Sequence, residues 1–311
     1  MRSHASALLV ATAIACRVPS AGAEEASPAA GREEAKPFAS DDARVRELWA
    51  EGVRLELEGD LLGSAGAYER IVAVRPTVSE VYWRIARNHF RAGEALSTDD
   101  RDGRMHHFEL TERWAARGAA IDPECAECFL YQFVGTSGVA RTGGTLAAAA
   151  RVSTMAKLLD HAFALRPGHV DNEWNSELAN LYYAGGVFYR SLPDQALFGW
   201  VTGARADRQR ALGYLREAVA ITPTRIDYNL ELGALLACLG RTQQRPELVT
   251  EGLATLAGIE ALAERQARDS FKRRHARIIV AHPDKACDDS REDWVAADPS
   301  GRPVAADASA P

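Results

Sequence analysis

The chain has 311 residues, a formal net charge of −6 at neutral pH and 47% hydrophobic residues. Its longest basic cluster is Lys272-Arg273-Arg274, which argues against a nucleic-acid-binding surface. Helix-favouring residues are abundant and alternating runs of β-branched residues are rare, so the composition favours an all-α protein. The length is large for one compact core and ordinary for an array that grows by adding repeats.

The chain begins with the pattern of a signal peptide, predicted over residues 1–23. A basic residue precedes an apolar core at residues 7–16, and the last three residues of the predicted signal peptide are small and form a cleavage motif. The core is too short to span a bilayer, so we predict export to the periplasm or secretion. Residues 13–16 also resemble a lipobox. A lipid anchor on Cys16 is therefore the alternative to its removal, and the only route to a membrane that we predict.

Two segments without hydrophobic periodicity flank the body of the chain. Residues 24–40 are rich in Ala, Glu, Pro and Gly and are predicted to be a flexible spacer. Residues 283–311 are acidic and rich in Ala and Pro, and we predict a mostly disordered tail there. The helical domain is therefore predicted over residues 41–282.

The body repeats one pattern, a helix-compatible apolar segment that ends at a proline. The prolines are Pro76, Pro123, Pro167 and Pro223. This pattern is typical of helical hairpins stacked into an array, in which each unit buries its face against its neighbours. Gly52, Tyr68 and Pro76 have the spacing of the tetratricopeptide repeat, which the sequence resembles. The resemblance implies a solenoid with a right-handed superhelix, whose first helices line the concave face.

The spacing of the prolines indicates insertions. Successive prolines lie 47, 44 and 56 residues apart, against roughly 34 in an ordinary unit. We place the extra residues between the two helices of each hairpin, at residues 93–106, 135–151 and 190–205. Because such turns project from the same edge of a solenoid, we expect the three insertions to form one composite surface.

The third insertion narrows the resemblance to particular groups of tetratricopeptide-like proteins. Residues 184–200, followed by 211–218 and 228–233, resemble the tetratricopeptide-like domain of regulator of microtubule dynamics proteins. They are also similar to TatT, a bacterial lipoprotein associated with TRAP transporters. With residues 80–86, the resemblance covers about residues 45–245. It implies the fold and a binding role. It does not imply the cytoskeletal partner, which an exported chain cannot reach, and it carries over no functional residue.

Three tryptophans are candidates for lining a ligand groove. Counting from the prolines puts Trp83 and Trp174 at the fifth position of first helices, and Trp49 holds the same position in the first repeat. With Arg87 they would line a groove suited to a protein partner or a small apolar ligand. If the predicted helix register is wrong by one residue, all three tryptophans move to the position that packs between paired helices, and this alternative stays open.

Phe198 and Trp200 extend the candidate site onto the third insertion. If exposed on a loop, these aromatic residues would contact a partner. In the alternative arrangement the loop folds back and fills the groove, since a long loop must bury apolar area to be ordered.

Cys125 and Cys128 form a CxxC motif behind Asp122-Pro123, a favourable helix start. A CxxC motif in such a position can be redox-active. However, the strand–loop–helix context of thioredoxin-like proteins is missing, and the next residue is Phe129 instead of the histidine of haem attachment. In an oxidising compartment we therefore favour a local structural disulfide.

No motif in the sequence defines an enzyme or a metal site convincingly. His106 and His107 point to different sides of a helix, and the glycine-rich segments lack the lysine of a phosphate loop. We predict an exported, non-enzymatic scaffold without a cofactor, which binds a protein partner or a small apolar ligand and no nucleic acid. The alternatives are a lipoprotein-type ligand-binding accessory of a TRAP-like transport system and a thiol oxidoreductase that uses the CxxC motif.

Overall fold

The computed structural model describes residues 40–194, 199, 202–266 and 268–287. All of them belong to one compact unit. Within these ranges the chain forms eleven α-helices and one short antiparallel β-hairpin, and no helix among them is long and apolar enough to cross a membrane. The predicted signal peptide, Cys16, the spacer up to residue 39 and the tail beyond residue 287 lie outside the described residues and stay predictions.

Ten of the helices pair into five consecutive hairpins. These are α1 (Ala43–Glu58) with α2 (Leu61–Val74), α3 (Ser79–Ala95) with α4 (Arg101–Ile121), α5 (Ala126–Gly143) with α6 (Thr145–Leu165), α7 (Glu177–Ser191) with α8 (Arg208–Ile221), and α9 (Ile226–Thr242) with α10 (Pro246–Gly258). Strands β1 (Val170–Asn172) and β2 (Asn175–Ser176) lie between α6 and α7. A 3₁₀ turn (Ile259–Ala261), helix α11 (Asp269–Ala281) and a 3₁₀ helix (Pro283–Cys287) follow the last hairpin.

Local signals set the ends of the first helix. The side chain of Asp42 accepts hydrogen bonds from the backbone N–H groups of Arg44 and Val45, which satisfies free donors at the start of α1. Gly59 ends α1 in the left-handed conformation, with φ at 83°. Both ends of α1 are therefore set by residues next to them in the sequence.

Successive helices pack against each other, and the first helices of neighbouring hairpins also contact one another. Helix α3 contacts α5, α5 contacts α7, and α7 contacts α9. No two second helices in the described ranges make a contact as extensive as that between α3 and α5. The first helices therefore form an inner layer and the second helices an outer layer, and the prediction of an all-α, tetratricopeptide-like solenoid is confirmed.

Close approach of the paired helices explains the spacing of glycine and tyrosine in the first repeat. Tyr68 is fully buried, and a Cβ atom at Gly52 would lie 2.6 Å from its ring. Helix α1 reaches this distance from α2 because residue 52 has no side chain. Gly233 repeats the arrangement in the last hairpin, where a Cβ atom would lie 2.7 Å from Leu256.

The first two predicted insertions lie within hairpins but lengthen helices instead of forming loops. Helices α3 to α6 have 17, 21, 18 and 21 residues, against 16 and 14 for α1 and α2. The turn of the second hairpin spans only residues 96–100, and Gly144 alone separates α5 from α6. In the fourth hairpin, α7 ends at Ser191 and α8 begins at Arg208, and the residues between them are described only in part. The expected composite surface of three long loops is therefore wrong for the first two.

The C-terminal end of the array extends beyond the predicted boundary at residue 282. Helix α10 is the second helix of the last hairpin, and α11 packs after it against α9 and α10. Residues 283–287, which the sequence assigns to the tail, form a 3₁₀ helix with Ala286 buried. A disulfide bond joins Cys287 to Cys238 of α9. Cys238 is buried, and the disulfide bond fixes this segment to the array.

Candidate functional site

A buried arginine surrounded by three carboxylates lies in the inner layer. Arg87, on α3, is 2% exposed. Its Nη1 donates to Asp171 Oδ2 at 2.7 Å and to Glu177 Oε1 at 2.9 Å, and its Nη2 donates to Glu56 Oε1 at 2.7 Å. Burial alone would lower the pKa of Arg87, but the three carboxylates outweigh burial and raise it well above its ordinary value. We call these four residues the Arg87 cluster.

Helix α3 supplies the cations because it carries charged residues at intervals of three or four, which places them on one face. These residues are Glu80, Arg84, Arg87 and Arg91. Arg84 donates to Glu80 at 3.0 Å. Its guanidinium carbon lies 4.7 Å from the ring centroid of Trp49 and 4.8 Å from that of Trp83, so the two indoles hold this cation by cation–π contacts.

Glu177 connects the cluster to the second half of the array. It lies in the first turn of α7, where the helix dipole favours a carboxylate, and it is completely buried. The Tyr131 hydroxyl lies 2.9 and 2.8 Å from its two oxygens, and Asn180 Nδ2 donates to it at 3.0 Å. Burial, followed by the charge of Glu177, raises the pKa of Tyr131 well above its ordinary value. Tyr228 of α9 donates to Asn180 Oδ1 and so extends the network.

The third carboxylate, Asp171, comes from the β-hairpin and not from a helix. His169 Nε2 lies 2.7 Å from Asp171 Oδ1, and Asn175 Nδ2 donates to Asp171 Oδ2 at 2.5 Å. Burial would raise the pKa of Asp171, but the charge of Arg87, the hydrogen bond and charge of His169 and the charge of Arg84 together outweigh burial and lower this pKa well below its ordinary value. The hairpin also covers Trp83, whose ring lies 5.0 Å from that of His169.

Three of the predicted groove residues come together in this site, in a role that the sequence did not show. Trp83 is 3% exposed and stacks on Tyr131 with 6.0 Å between centroids. Trp49 contacts Arg84 and also lies 5.4 Å from Tyr68 of α2, so it takes part in packing between paired helices. The tryptophans support the charged cluster in this structure, and a ligand role for them and for Arg87 stays a prediction.

Trp174 holds a different place from the one predicted. It lies in the turn between β1 and β2, and helix α7 begins three residues later at Glu177. The assignment to the fifth position of a first helix is wrong, because the β-hairpin separates Pro167 from the helix. The Trp174 ring centroid lies 5.8 Å from the Arg265 guanidinium carbon. Phe198 and Trp200 are outside the described residues, and their role stays a prediction.

Cys125 and Cys128 form a disulfide bond at the start of α5, with their Cα atoms 5.3 Å apart. The sulfur of Cys125 accepts a hydrogen bond from the backbone N–H of Cys128 at 3.2 Å, so it caps the helix. The two residues are 7% and 0% exposed and pack beside Trp83. Because a catalytic disulfide must be reached by an attacking thiolate, this burial argues against the oxidoreductase alternative.

The histidines of α4 contact a histidine of α3. His107 Nδ1 lies 3.2 Å from Nδ1 of His89, which is 7% exposed. Burial, followed by the charges of His107 and His106, lowers the pKa of His89 to about 4. In the part of the chain that the structure describes, no group of three or more His, Cys, Asp or Glu residues could hold a metal ion.

Comparison with known proteins adds two structural likenesses. No protein-family model and no curated protein matches the sequence. A thermophilic TPR protein of Thermus thermophilus has 16% identity and a TM-score of 0.48, over 75% of this chain and 99% of that one. The MamA protein has 15% identity and a TM-score of 0.40, over 71% and 98% of the two chains. Both TM-scores are below 0.5, so the class, a tetratricopeptide-like helical array, rests on the helix packing above.

Proposed function

We propose that the protein is an exported, non-enzymatic scaffold that binds a partner protein on its inner layer. The observation that carries the proposal is the charged face of α3, which extends from the buried Arg87 to a solvent-accessible rim. The side chains of Glu80 and Arg91 at this rim are 37% and 39% exposed. Helical arrays use the extended surface of one layer for binding, and polar rim residues around buried anchors are typical of protein interfaces.

Export is the second part of the proposal, and the signal-peptide pattern of residues 1–23 supports it. Intact-mass measurement of the protein from its own host tests it directly. A chain that begins at Glu24 would identify an exported mature protein, and a diacylglycerol adduct on Cys16 would identify a lipid-anchored one. Retention of residues 1–23 would overturn the export proposal.

Site-specific photo-crosslinking in the host envelope tests the binding surface. A photoreactive amino acid at position 91 or 80 should give a discrete adduct. The matched controls are Arg70 on α2 and Arg216 on α8, which lie on second helices and whose side chains are both 49% exposed. Adducts from the two control positions and none from α3 would place the binding surface on the outer layer and refute the proposal.

A ligand-binding accessory of a TRAP-like transport system is the second candidate. Besides the sequence resemblance, a partly buried aromatic cluster on α6, α7 and α8 favours it. Phe163 stacks on Tyr214 at 4.5 Å and lies 5.5 Å from Tyr182, and such rings suit a small apolar ligand. Native mass spectrometry of protein from its own envelope separates the candidates, since a discrete added mass in the ligand range favours the accessory and a bare mass favours the scaffold.

A further inference from the structure

We propose that Asp171 occupies the place of a partner's carboxylate, and that an acidic ligand displaces the β-hairpin to bind Arg87. The proposal rests on the proposed function, because it names the chemistry of the partner at the same inner-layer surface. The exchange is non-covalent. One carboxylate leaves the guanidinium group of Arg87 and another takes its position.

The three carboxylates on Arg87 differ in how firmly the fold holds them. The side chains of Glu177 and Glu56 are 1% and 11% exposed, and both residues belong to helices of the array. The side chain of Asp171 is 25% exposed and stands on a hairpin whose strands have three and two residues. A two-stranded hairpin on its own is marginally stable in water, and the side chain of Asp171 is the most exposed of the three, so Asp171 is the exchangeable partner.

Arg87 also has a donor that the present arrangement does not use. Its Nε is buried, and no acceptor within the described ranges forms a hydrogen bond with it. A guanidinium group has five N–H donors in a planar fork that matches a carboxylate. Leaving one of them buried and unpaired costs free energy. Asp171 lies across Nη1 and Nη2, at 2.7 and 3.4 Å, and so does not reach this donor. An incoming carboxylate that is free to choose its orientation can shorten the long contact to Nη2, whereas Asp171 is restrained by the hairpin and by its bond from Asn175.

The charges around the site favour an acidic ligand over a neutral or basic one. Arg87 is buried and is paired with three carboxylates, and displacing Asp171 removes one of these acceptors. A ligand carboxylate gives the Nη1 and Nη2 donors that Asp171 releases a charged acceptor, and a hydrogen bond between two charged groups is stronger than one to a neutral acceptor. Arg91, at the solvent-accessible rim, lies 3.1 Å from Glu56 and so places an exposed positive charge next to the Arg87 cluster.

Fluorescence anisotropy with the full mature protein tests the exchange. The probe is a fluorescein-labelled hexaglutamate peptide with an amidated C-terminus, measured at fixed ionic strength. Asp171→Asn removes the competing charge and should tighten binding at least tenfold, and Arg91→Gln should weaken it. The matched control is Asp160→Asn, whose side chain is 61% exposed and pairs with a surface arginine, and it should change binding less than twofold. A labelled hexaglutamine peptide should not bind.

Hydrogen–deuterium exchange on the wild-type protein gives a second readout that needs no variant. Bound hexaglutamate should raise the exchange of residues 168–176 while the helices stay protected. Binding without this rise, or equal affinity of the folded Asp171→Asn variant and the wild type, overturns the proposal. Competition with succinate identifies the source. Displacement of the peptide by millimolar succinate indicates a free carboxylate ligand, and no displacement indicates an acidic segment of a partner protein.

These results are distinguishable from failure of the proposed function. Crosslinks from position 91 without an effect of Asp171→Asn would keep the scaffold and reject the exchange. A strong effect of Asp171→Asn without any crosslinked protein would keep the carboxylate site and reject the protein partner.

Discussion

Replacing Tyr131 with phenylalanine removes one hydrogen bond from a buried charge and leaves the packing unchanged. The hydroxyl lies 2.9 and 2.8 Å from the two oxygens of Glu177, and the ring, which stacks on Trp83, is retained. A hydrogen bond to a charged group contributes about 1.5–3 kcal/mol to stability. Because Glu177 keeps its bonds from Arg87 and Asn180, we expect a loss of about 2 kcal/mol.

Urea denaturation followed by far-UV circular dichroism measures this loss. The matched control is Tyr82→Phe, since Tyr82 is equally buried and donates to a neutral acceptor, the carbonyl of Pro76, at 2.7 Å. A bond between neutral groups contributes about 1 kcal/mol, so the Tyr131 variant should be the less stable of the two. A loss at Tyr131 no larger than that at Tyr82 would refute the view that this hydroxyl stabilises a buried carboxylate.

Three further perturbations test the packing, a titrating group and a covalent link. Gly52→Ala should lower the stability by about 1–3 kcal/mol, because its Cβ would lie 2.6 Å from a buried tyrosine ring. Gly66→Ala on α2 is the control, because nothing lies within 4 Å of its Cβ position, and it should be neutral or stabilising in the same urea denaturation assay. His89 has its pKa lowered from 6.5 to about 4, so between these values the unfolded chain takes up a proton that the folded chain does not. Stability should therefore fall as the pH drops through this window, by at most about 3 kcal/mol. His89→Asn should make the free energy of unfolding less dependent on pH in this window. Replacing Cys238 and Cys287 with serine removes a disulfide bond between residues 49 apart and should lower the free energy of unfolding by about 2–4 kcal/mol. Equal melting temperatures with and without reductant would contradict the presence of this disulfide bond in the purified protein.

Local sequence signals were sufficient for the hairpins and misleading for the insertions. The capping residue Asp42 and the turn at Gly59 act within a few residues, so they can be recognised without the fold. Gly93 is the first residue of the first predicted insertion and Gly138 lies in the second, yet both lie inside helices and face Phe108. A Cβ atom at Gly93 would lie 2.9 Å from that ring, so close packing of the helices decides these positions against their low helix propensity.

The Arg87 cluster could be predicted only in part, because its members are distant in sequence. Glu56, Asp171 and Glu177 lie 31, 84 and 90 residues from Arg87, and no local pattern pairs them. The cations of α3 could have been found, since charged residues at intervals of three or four interrupt what should be the apolar inner face of a first helix. The β-hairpin had no comparable signal, and the fifth-position count for Trp174 failed because of it.

Arg87 has more carboxylates around it than a purely structural role of this arginine requires. A buried ion pair contributes little net stability compared with apolar packing, since desolvation offsets much of the attraction. Glu56 and Glu177, both on helices, already neutralise one arginine twice over and join α1, α3 and α7 through it. A third carboxylate on a short hairpin is not needed to fix these helices, and it brings a repulsive charge into the cluster. Its place fits the proposed exchange, in which Asp171 occupies the Nη1 and Nη2 donors of Arg87 until an acidic ligand takes its position.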